Sequence, residues 1–397
     1  MPHAIVANNK RITGIDALRG LAVLLMLTQH IIYWVCSELS TSLSVQVFGA
    51  LGGIAAPLFI VLAGTGAALA KRNRTDIDRM LAGRGIVIIG YGYVLNLLTP
   101  NWFAPESWYV LHMIGLSLLL APVFRKLPET VAGALLVAVI IITAMLQSLL
   151  ETPLFLNNWQ MASTSLPGGT LRLVLVEGFF PVFPWIAFFL AGFLAGRLHK
   201  LEKTGQWEKT GQGKETGPEK EKEIGGRPRR RQGHLWKMAA LFLGISITLS
   251  GVYIAGFGFA ASDPWLRLFR PIPNFYPALA PVTFFLIAAA LFLLSVFLWL
   301  QKHPEGSGPP GPRSAFGVSR FMAILACPGR CSLTILMVHI PLIREPVVRL
   351  GYWRSLDVFE TLVLTLFFLV AFSLAAVWWR KIDFRYGAEW LLRKAFP

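Results

Sequence analysis

Apolar stretches of about twenty residues recur along the chain and constrain what it can fold into. Ten are found, at about 17–36, 48–70, 85–99, 108–124, 129–150, 173–196, 236–256, 276–300, 331–349 and 358–379. A helix of about 20 residues crosses a hydrocarbon core about 30 Å thick, and in lipid a helix satisfies its own backbone hydrogen bonds. The expected fold is an all-α polytopic membrane protein with about ten transmembrane helices. The segment 331–349 has polar ends, and 316–328 could add a short re-entrant piece. Composition agrees. Only 15% of residues are charged, against roughly a quarter in soluble domains. The net charge of +16 would also suit a nucleic-acid binder, but a chain 55% hydrophobic with mean hydropathy +0.58 excludes that class.

Charge placement orients the spans. With the amino terminus inside, the cytoplasmic segments carry Lys71, Arg72, Arg74, Arg79 and Arg84, then Arg125 and Lys126, then the basic run before residue 236. Later ones carry Lys302, Arg313, Arg320 and Arg330, then Arg380, Lys381, Arg385, Arg393 and Lys394. The opposite loops 100–107 and 151–171 contain no Lys or Arg, and the later ones hold Arg267, Arg270, Arg344 and Arg354. Positive charge collects on the cytoplasmic side, so ten helices with both termini cytoplasmic fit the pattern. Lys10, Arg11 and Arg19 precede an apolar stretch without an A-x-A site, which reads as a retained first helix rather than a cleaved signal.

The segment 201–233 is rich in Lys, Glu, Gly and Gln and nearly free of apolar residues. Such a composition buries too little surface to fold, and it reads as a disordered cytoplasmic linker, whose RPRRR end could touch anionic headgroups. The domains are then 1–198 with six helices, the linker 199–235, and 236–397 with four. Cys36, Cys327 and Cys331 form no redox or zinc spacing and read as packing residues, and no metal site is expected. Gly49, Gly53, Ala63, Gly64 and Ala68 on the second helix permit close helix contact.

The stretch RGLAVLLMLTQH begins the first apolar run with an arginine and ends it with a histidine. Arg19 and His30 are eleven residues apart, about three turns plus 20°, so both lie on one helix face with a rise of about 16 Å. Asp16 can pair with Arg19, and Tyr33 and Trp34 extend the stripe outward. With Arg19 at the cytoplasmic boundary, His30 falls near the midplane, where an ionisable group is a functional candidate. Glu177, His339, Asn96 and His112 are the other polar groups expected at mid-depth or in the outer half. Glu177 could orient His30, bind an acceptor or lie among headgroups. The aromatics of WYVLH and VFPWIAFF read as interface belts and packing.

RITGIDALRGLAVLLMLTQH resembles the first helix of the transmembrane acyltransferase superfamily, and Arg19-x10-His30 is similar to the R-x10-H motif of the acyltransferase-3 family. PLFIVLAGTGAAL (57–69), WYVLHMIGL (108–116), FFPVFPWIAFFLAGFLAGRL (179–198), CSLTILMVH (331–339) and FRYGAEWLLR (384–393) resemble the branch containing the heparan-α-glucosaminide N-acetyltransferase catalytic domain and its bacterial relatives. That branch carries asparagine at the position of His30 and its histidine further on. Residues 31–47 here contain none, so the resemblance puts the chemistry on His30.

The resemblance implies a membrane-embedded acyltransferase of the bacterial inner membrane. It would move an acyl group, usually acetyl, from cytosolic acyl-CoA to a sugar-like hydroxyl or amine reached from the other side. Catalytic candidates are His30, as general base or transient acyl-imidazole, then His339 and Glu177. Arg19, Arg72, Arg79 and Arg84 offer guanidinium groups for the phosphates of the acyl-CoA co-substrate, and Asn96, His112, Tyr33 and Trp34 are the acceptor-side candidates. Partners are membrane lipids, acyl-CoA and a glycan-like acceptor, and a homo-oligomer is compatible with these. Ten helices with a mid-membrane histidine also suit a transporter or flippase. Against that reading, no helix repeat is visible and the polar stripe is concentrated on the first helix.

Overall fold

The computed structural model describes residues 12–39, 41–70, 74–211, 233–256, 263–272, 275–302 and 314–396, and among them it is helical throughout, with isolated bridges but no strand. The first helices are α1 (Thr13–Val35), α2 (Leu43–Gly52), α3 (Ala55–Leu69), α4 (Arg74–Leu98), α5 (Val110–Phe124) and α6 (Glu129–Leu149). Two short helices, α7 (Asn158–Ala162) and α8 (Gly169–Arg172), lead into a π-helix at Leu173–Glu177. Then come α9 (Val182–Gly211), α10 (Gly233–Ile254), α11 (Pro264–Phe269), α12 (Ala280–Lys302), α13 (Ser314–Arg330) and α14 (Ser332–His339). A second π-helix, Ile340–Arg344, joins α14 to α15 (Glu345–Arg349), and α16 (Val358–Trp379) and α17 (Ala388–Ala395) follow.

Among the described residues eight helical segments are long and apolar enough to cross a membrane, with Leu43–Leu69 (α2 and α3 together) counted as one, and a ninth span is formed if Arg320–Arg330 and Ser332–Arg349, bent by 57°, count as one. The chain is a multi-pass helical membrane protein. The run at 108–124, expected as a further span, folds into the 15-residue α5, an apolar helix shorter than the others and about 22 Å long at 1.5 Å per residue. α9 continues to Gly211 and α10 begins at Gly233, because Leu201–Lys209 is mostly Glu, Lys and Gln, all good helix formers. Residues 212–232 lie outside the described residues.

The chain divides into two units, Met1–Ala55 with Leu293–Leu391, and Ala56–Phe292 with Leu392–Pro397. In the first unit α1 is nearly surrounded. Its residues Ala17, Leu18, Ala22, Val23, Leu27, Ile31 and Val35 are fully buried, which is why its apolar positions show no single exposed face. Its closest neighbour is α13. A Cβ on Gly20 would lie 1.8 Å from Leu325 O, and one on Gly329 would lie 1.8 Å from Asp16 O. Only two glycines let these backbones touch.

The far end of α1 is closed by the loop before α16. Trp34 O and Val35 O, carbonyls a helix end leaves without intrahelical partners, accept the N–H groups of Arg354 and Leu356 at 2.9 Å each. Ser37 N–H donates to Leu356 O at 2.9 Å in return. His30 therefore sits five residues, about 7.5 Å, from an anchored helix end.

In the second unit α3 and α9 cross closely. A Cβ on Gly64 would meet Phe189 O at 2.1 Å, and one on Gly192 would meet Val61 O at 1.9 Å. The Thr65 hydroxyl donates across this contact to Gly192 O at 3.0 Å. Gly64 thus does what its small size suggests, whereas Gly49 faces open space. The aromatics of VFPWIAFF are core: Trp185, Phe188 and Phe189 are fully buried, and Trp108 and Tyr109 are buried too, so these rings are not interface belts.

The α1–α13 contact makes a prediction. Gly20→Val and Gly329→Val should each destabilise the protein in detergent by about 3 kcal/mol or more, the upper range of overpacking. Gly133→Ala, where a methyl meets open space, should stay within about 1 kcal/mol of the parent. Thermal unfolding followed by tryptophan fluorescence makes the comparison.

Candidate active site

His30 and His339, 309 residues apart in sequence, meet in the first unit. His30 Nδ1 lies 2.8 Å from His339 Nε2, and the rings are nearly parallel, 4° apart with centroids at 5.1 Å. Trp34 stacks on both, at 5.2 Å from His30 and 5.9 Å from His339. His339 is fully buried, whereas His30 keeps some accessible surface.

Hydrogen bonding fixes the tautomers of the neutral pair. His339 Nδ1 is 3.0 Å from Ile335 O. A carbonyl only accepts, so Nδ1 carries the His339 proton and the lone pair lies on Nε2. That lone pair accepts from His30 Nδ1–H, and the His30 lone pair is left on Nε2. A second imidazole thus orients His30.

The helix that carries His339 is held at its other end. α14 has only eight residues, and the Glu389 carboxylate accepts from the N–H of Leu333 at 2.5 Å and of Thr334 at 3.3 Å. It also accepts from the Thr334 hydroxyl at 2.6 Å, and Ala388 N–H donates to Thr334 Oγ1 at 2.9 Å. A carboxylate on the first N–H groups of a helix is a favourable cap. The FRYGAEW and CSLTILMVH segments therefore form one structure. Beyond His339 the π-helix leads to Arg344, which is buried, donates to Glu345 at 3.4 Å and stacks on Trp353 at 5.1 Å. Sequence reading missed Glu389, Glu345 and Trp353. The motif FRYGAEW was the available signal for the first.

The remaining candidates lie elsewhere. Arg19 pairs with Asp16 at 3.3 Å on α1, with Asp16 buried and Arg19 partly exposed. Tyr33 is exposed and carries the Arg354 guanidinium over its ring at 5.2 Å, so it turns away from the Trp34 stack. Arg79 is exposed on α4. Arg84 donates to Phe396 O at 3.0 Å. Arg72 lies outside the described residues.

In the second unit Asn96 donates to Pro105 O at 3.0 Å and Ser107 O at 2.9 Å, which makes it a brace of the loop between α4 and α5. His112 is fully buried among Tyr93, Trp108 and Tyr109, and its Nδ1 accepts from Tyr109 N–H at 3.3 Å.

Glu177 is fully buried within the protein at the end of the first π-helix. Arg172 engages both of its oxygens, with Nη2 to Oε1 at 2.7 Å, and the Thr152 hydroxyl donates to Oε1. Arg267 donates to Thr152 O. Burial pulls the Arg267 guanidinium below its ordinary range, and Glu177 pulls it back up.

Fold and site together define a polytopic membrane protein that carries a hydrogen-bonded imidazole pair. The family described as heparan-alpha-glucosaminide N-acetyltransferase, catalytic, matches residues 11–222. This is more than half of the chain, and the chain belongs to that family. The match contains Arg19, His30 and Glu177, while His339 lies beyond it. No curated protein matches the chain.

The Glu177 cluster is testable by itself. Glu177→Ala leaves the partly buried Arg172 without its anion, and the loss should be about 3 kcal/mol. Arg172→Ala should lose a similar amount, and the double variant less than the sum of the two. Urea unfolding midpoints of the four proteins in detergent measure this coupling.

Proposed function

We propose that this protein is a membrane-embedded acyltransferase. It moves an acetyl group from cytosolic acetyl-CoA to a sugar-like amine or hydroxyl reached from the opposite side of a bacterial inner membrane. The family it belongs to is an acetyltransferase family that uses acetyl-CoA. The observation that carries the mechanism is the His30–His339 hydrogen bond.

His30 is the general base, and its Nε2 lone pair removes the proton of the acceptor N–H or O–H. The acceptor atom forms its bond to the acyl carbon while the carbon–sulfur bond breaks. The proton then passes from His30 Nε2 to the departing thiolate, so the products are the acylated acceptor and the free thiol. His339 is the positioning residue. It holds His30 in the tautomer with the lone pair outward, and it accepts a charge-assisted hydrogen bond when His30 is protonated. A second imidazole behind the first serves a base, whose charged form it stabilises, and this favours direct transfer over an acyl-imidazole route.

Trp34 fixes both ring planes by stacking. Arg19 and Arg79 are the donor-side cations of their segments, with Arg72 shortly before Arg79 in sequence. Arg84 already binds a backbone carbonyl. α5 is read as a tenth, short crossing, because the Lys- and Arg-free loops 100–107 and 151–171 then share one side and both termini face the cytoplasm.

Activity is read as free thiol released from acetyl-CoA with a panel of amino sugars and neutral sugars. His30→Ala should lower the acceptor-dependent rate by about 10²–10⁴-fold without moving the melting temperature by more than a few degrees. An unchanged rate would remove His30 from the mechanism. His339→Ala should lower kcat while KM for the acceptor changes little, since it acts through His30. With labelled acetyl-CoA and no acceptor, direct transfer leaves no label on the protein after denaturing gel filtration. Stoichiometric label lost in His30→Ala would establish the acyl-imidazole route instead.

A further inference from the structure

The imidazole pair supplies a base. The Nδ1–H of His30 is taken by His339, and its outward Nε2 carries a lone pair. Acyl transfer also builds negative charge on the acyl oxygen, and a hydrogen-bond donor aimed at that oxygen is a large source of rate.

α1 carries such a donor beside His30. From Gln29 to Val35, the residues Ile31, Ile32, Trp34 and Val35 are buried, while Gln29, His30 and Tyr33 keep accessible surface. At 100° per residue Tyr33 lies about 40° from Gln29 and about 60° from His30, so the three share one open arc of about 100°. Tyr33, at the outer end of this arc, carries the Arg354 guanidinium over its ring. Gln29 and His30 remain at the depth of the midplane.

The Gln29 carboxamide is unused. The neighbouring Thr28 returns its hydroxyl to Leu24 O at 2.9 Å, but no described residue bonds to the amide of Gln29. Polar side chains at this depth face a bundle interior or a polar cavity, because hydrocarbon offers them no partner. The stem of Gln29 is held in place. A Cβ on Gly52 would lie 2.3 Å from Gln29 Cβ, so the α2 backbone packs against it.

We infer that Gln29 is a second catalytic residue, whose side-chain N–H donates to the acyl oxygen in the transition state. The inference rests on the acyltransferase reading above. Attack on a carbonyl comes from above its plane, whereas hydrogen bonds to its oxygen lie near that plane. Consecutive helix positions diverge by about 100°, which suits a base serving the first direction and a donor serving the second. As the acceptor atom bonds to the acyl carbon, the carbonyl π pair moves onto oxygen and is held by the Gln29 N–H. The pair then returns to re-form the carbonyl, and the carbon–sulfur bond breaks with its electrons leaving on sulfur.

The test compares the parent with Gln29→Leu, Gln29→Glu and His30→Ala, each as the full chain in detergent. Turnover is read with acetyl-CoA and the sugar panel. Gln29→Leu should lower kcat by about 10²–10³-fold while KM for acetyl-CoA and acceptor change little. Gln29→Glu should be no better, since a carboxylate repels the oxyanion. Melting temperatures should stay within a few degrees of the parent. A second readout needs no acceptor: difference infrared spectra of bound acetyl-CoA isotope-labelled at the acyl carbonyl. The carbonyl band should lie at lower wavenumber in the parent and in His30→Ala than in Gln29→Leu.

An unchanged kcat in Gln29→Leu, or one carbonyl band common to parent and Gln29→Leu, overturns the inference. So does loss of the fold in both Gln29 variants, which would make the residue structural. These outcomes leave the acyltransferase reading standing wherever His30→Ala lowers turnover. Unchanged turnover in His30→Ala overturns that reading and the inference with it.

Discussion

Helix α1 touches the backbone of α13 at Gly20 and Gly329, and the imidazole pair depends on that contact. From Gly20 to His30 is ten residues, and from Gly329 to His339 is also ten. Both segments leave one crossing and meet again at the hydrogen bond between the rings, despite the bend after Arg330. A side chain at the crossing would push the helices apart by more than the tolerance of a 2.8 Å bond. The second constraint is the cap that Glu389 places on α14. With the helix start fixed there and His339 at its last residue, little freedom remains for the buried ring. The third is the loop that takes up the carbonyls of Trp34 and Val35. Polar contacts at helix ends and a glycine contact in the middle thus hold two imidazoles in register, which apolar packing among lipid-like side chains would leave loosely defined.

Much of this is legible in the residues themselves. The apolar runs mark the spans, because a run of that length has no other stable place in the chain. The eleven-residue spacing puts Arg19 and His30 on one face by helix geometry alone. His339 is visible as a second intramembrane histidine. Its contact with His30 is not, since no local pattern encodes a partner 309 residues away. Asn96 shows the converse problem. A buried amide is a reasonable binding residue by type, but here it donates to Pro105 O and Ser107 O and holds a loop. Residue type gives a capacity for hydrogen bonding, and packing decides what uses it.

Buried charge follows the same rule in both units. Arg344 is stacked on Trp353 and bonded to Glu345, and Glu177 is saturated by Arg172 and Thr152. An ionised group in such surroundings persists only when its partner and its remaining hydrogen bonds are supplied together. The imidazole pair is different in kind. An imidazole exchanges between a neutral and a cationic form, so it can gain a proton during a reaction and lose it again. A saturated ion pair has no such freedom, which separates the role of His30 from that of Glu177 on physical grounds.

The two π-helices explain why an α-helical reading could not find the Glu177 partner. Arg172 and Glu177 are five residues apart. On an α-helix that spacing is about 500°, so the two side chains would diverge by about 140°. A π-helix bonds residue i to residue i+5 and brings the same two positions onto one face, where the guanidinium can reach both carboxylate oxygens. His339 and Arg344 have the same five-residue relation across the second π-helix. A periodicity of 3.6 therefore hides the first relation, and each of the two widened turns lies at a buried charged group, Glu177 or Arg344. Widened turns are tolerated where other groups take up the displaced backbone bonds. That requirement ties them to polar clusters, so the local departure from the α-helical pattern and the burial of charge are parts of one arrangement.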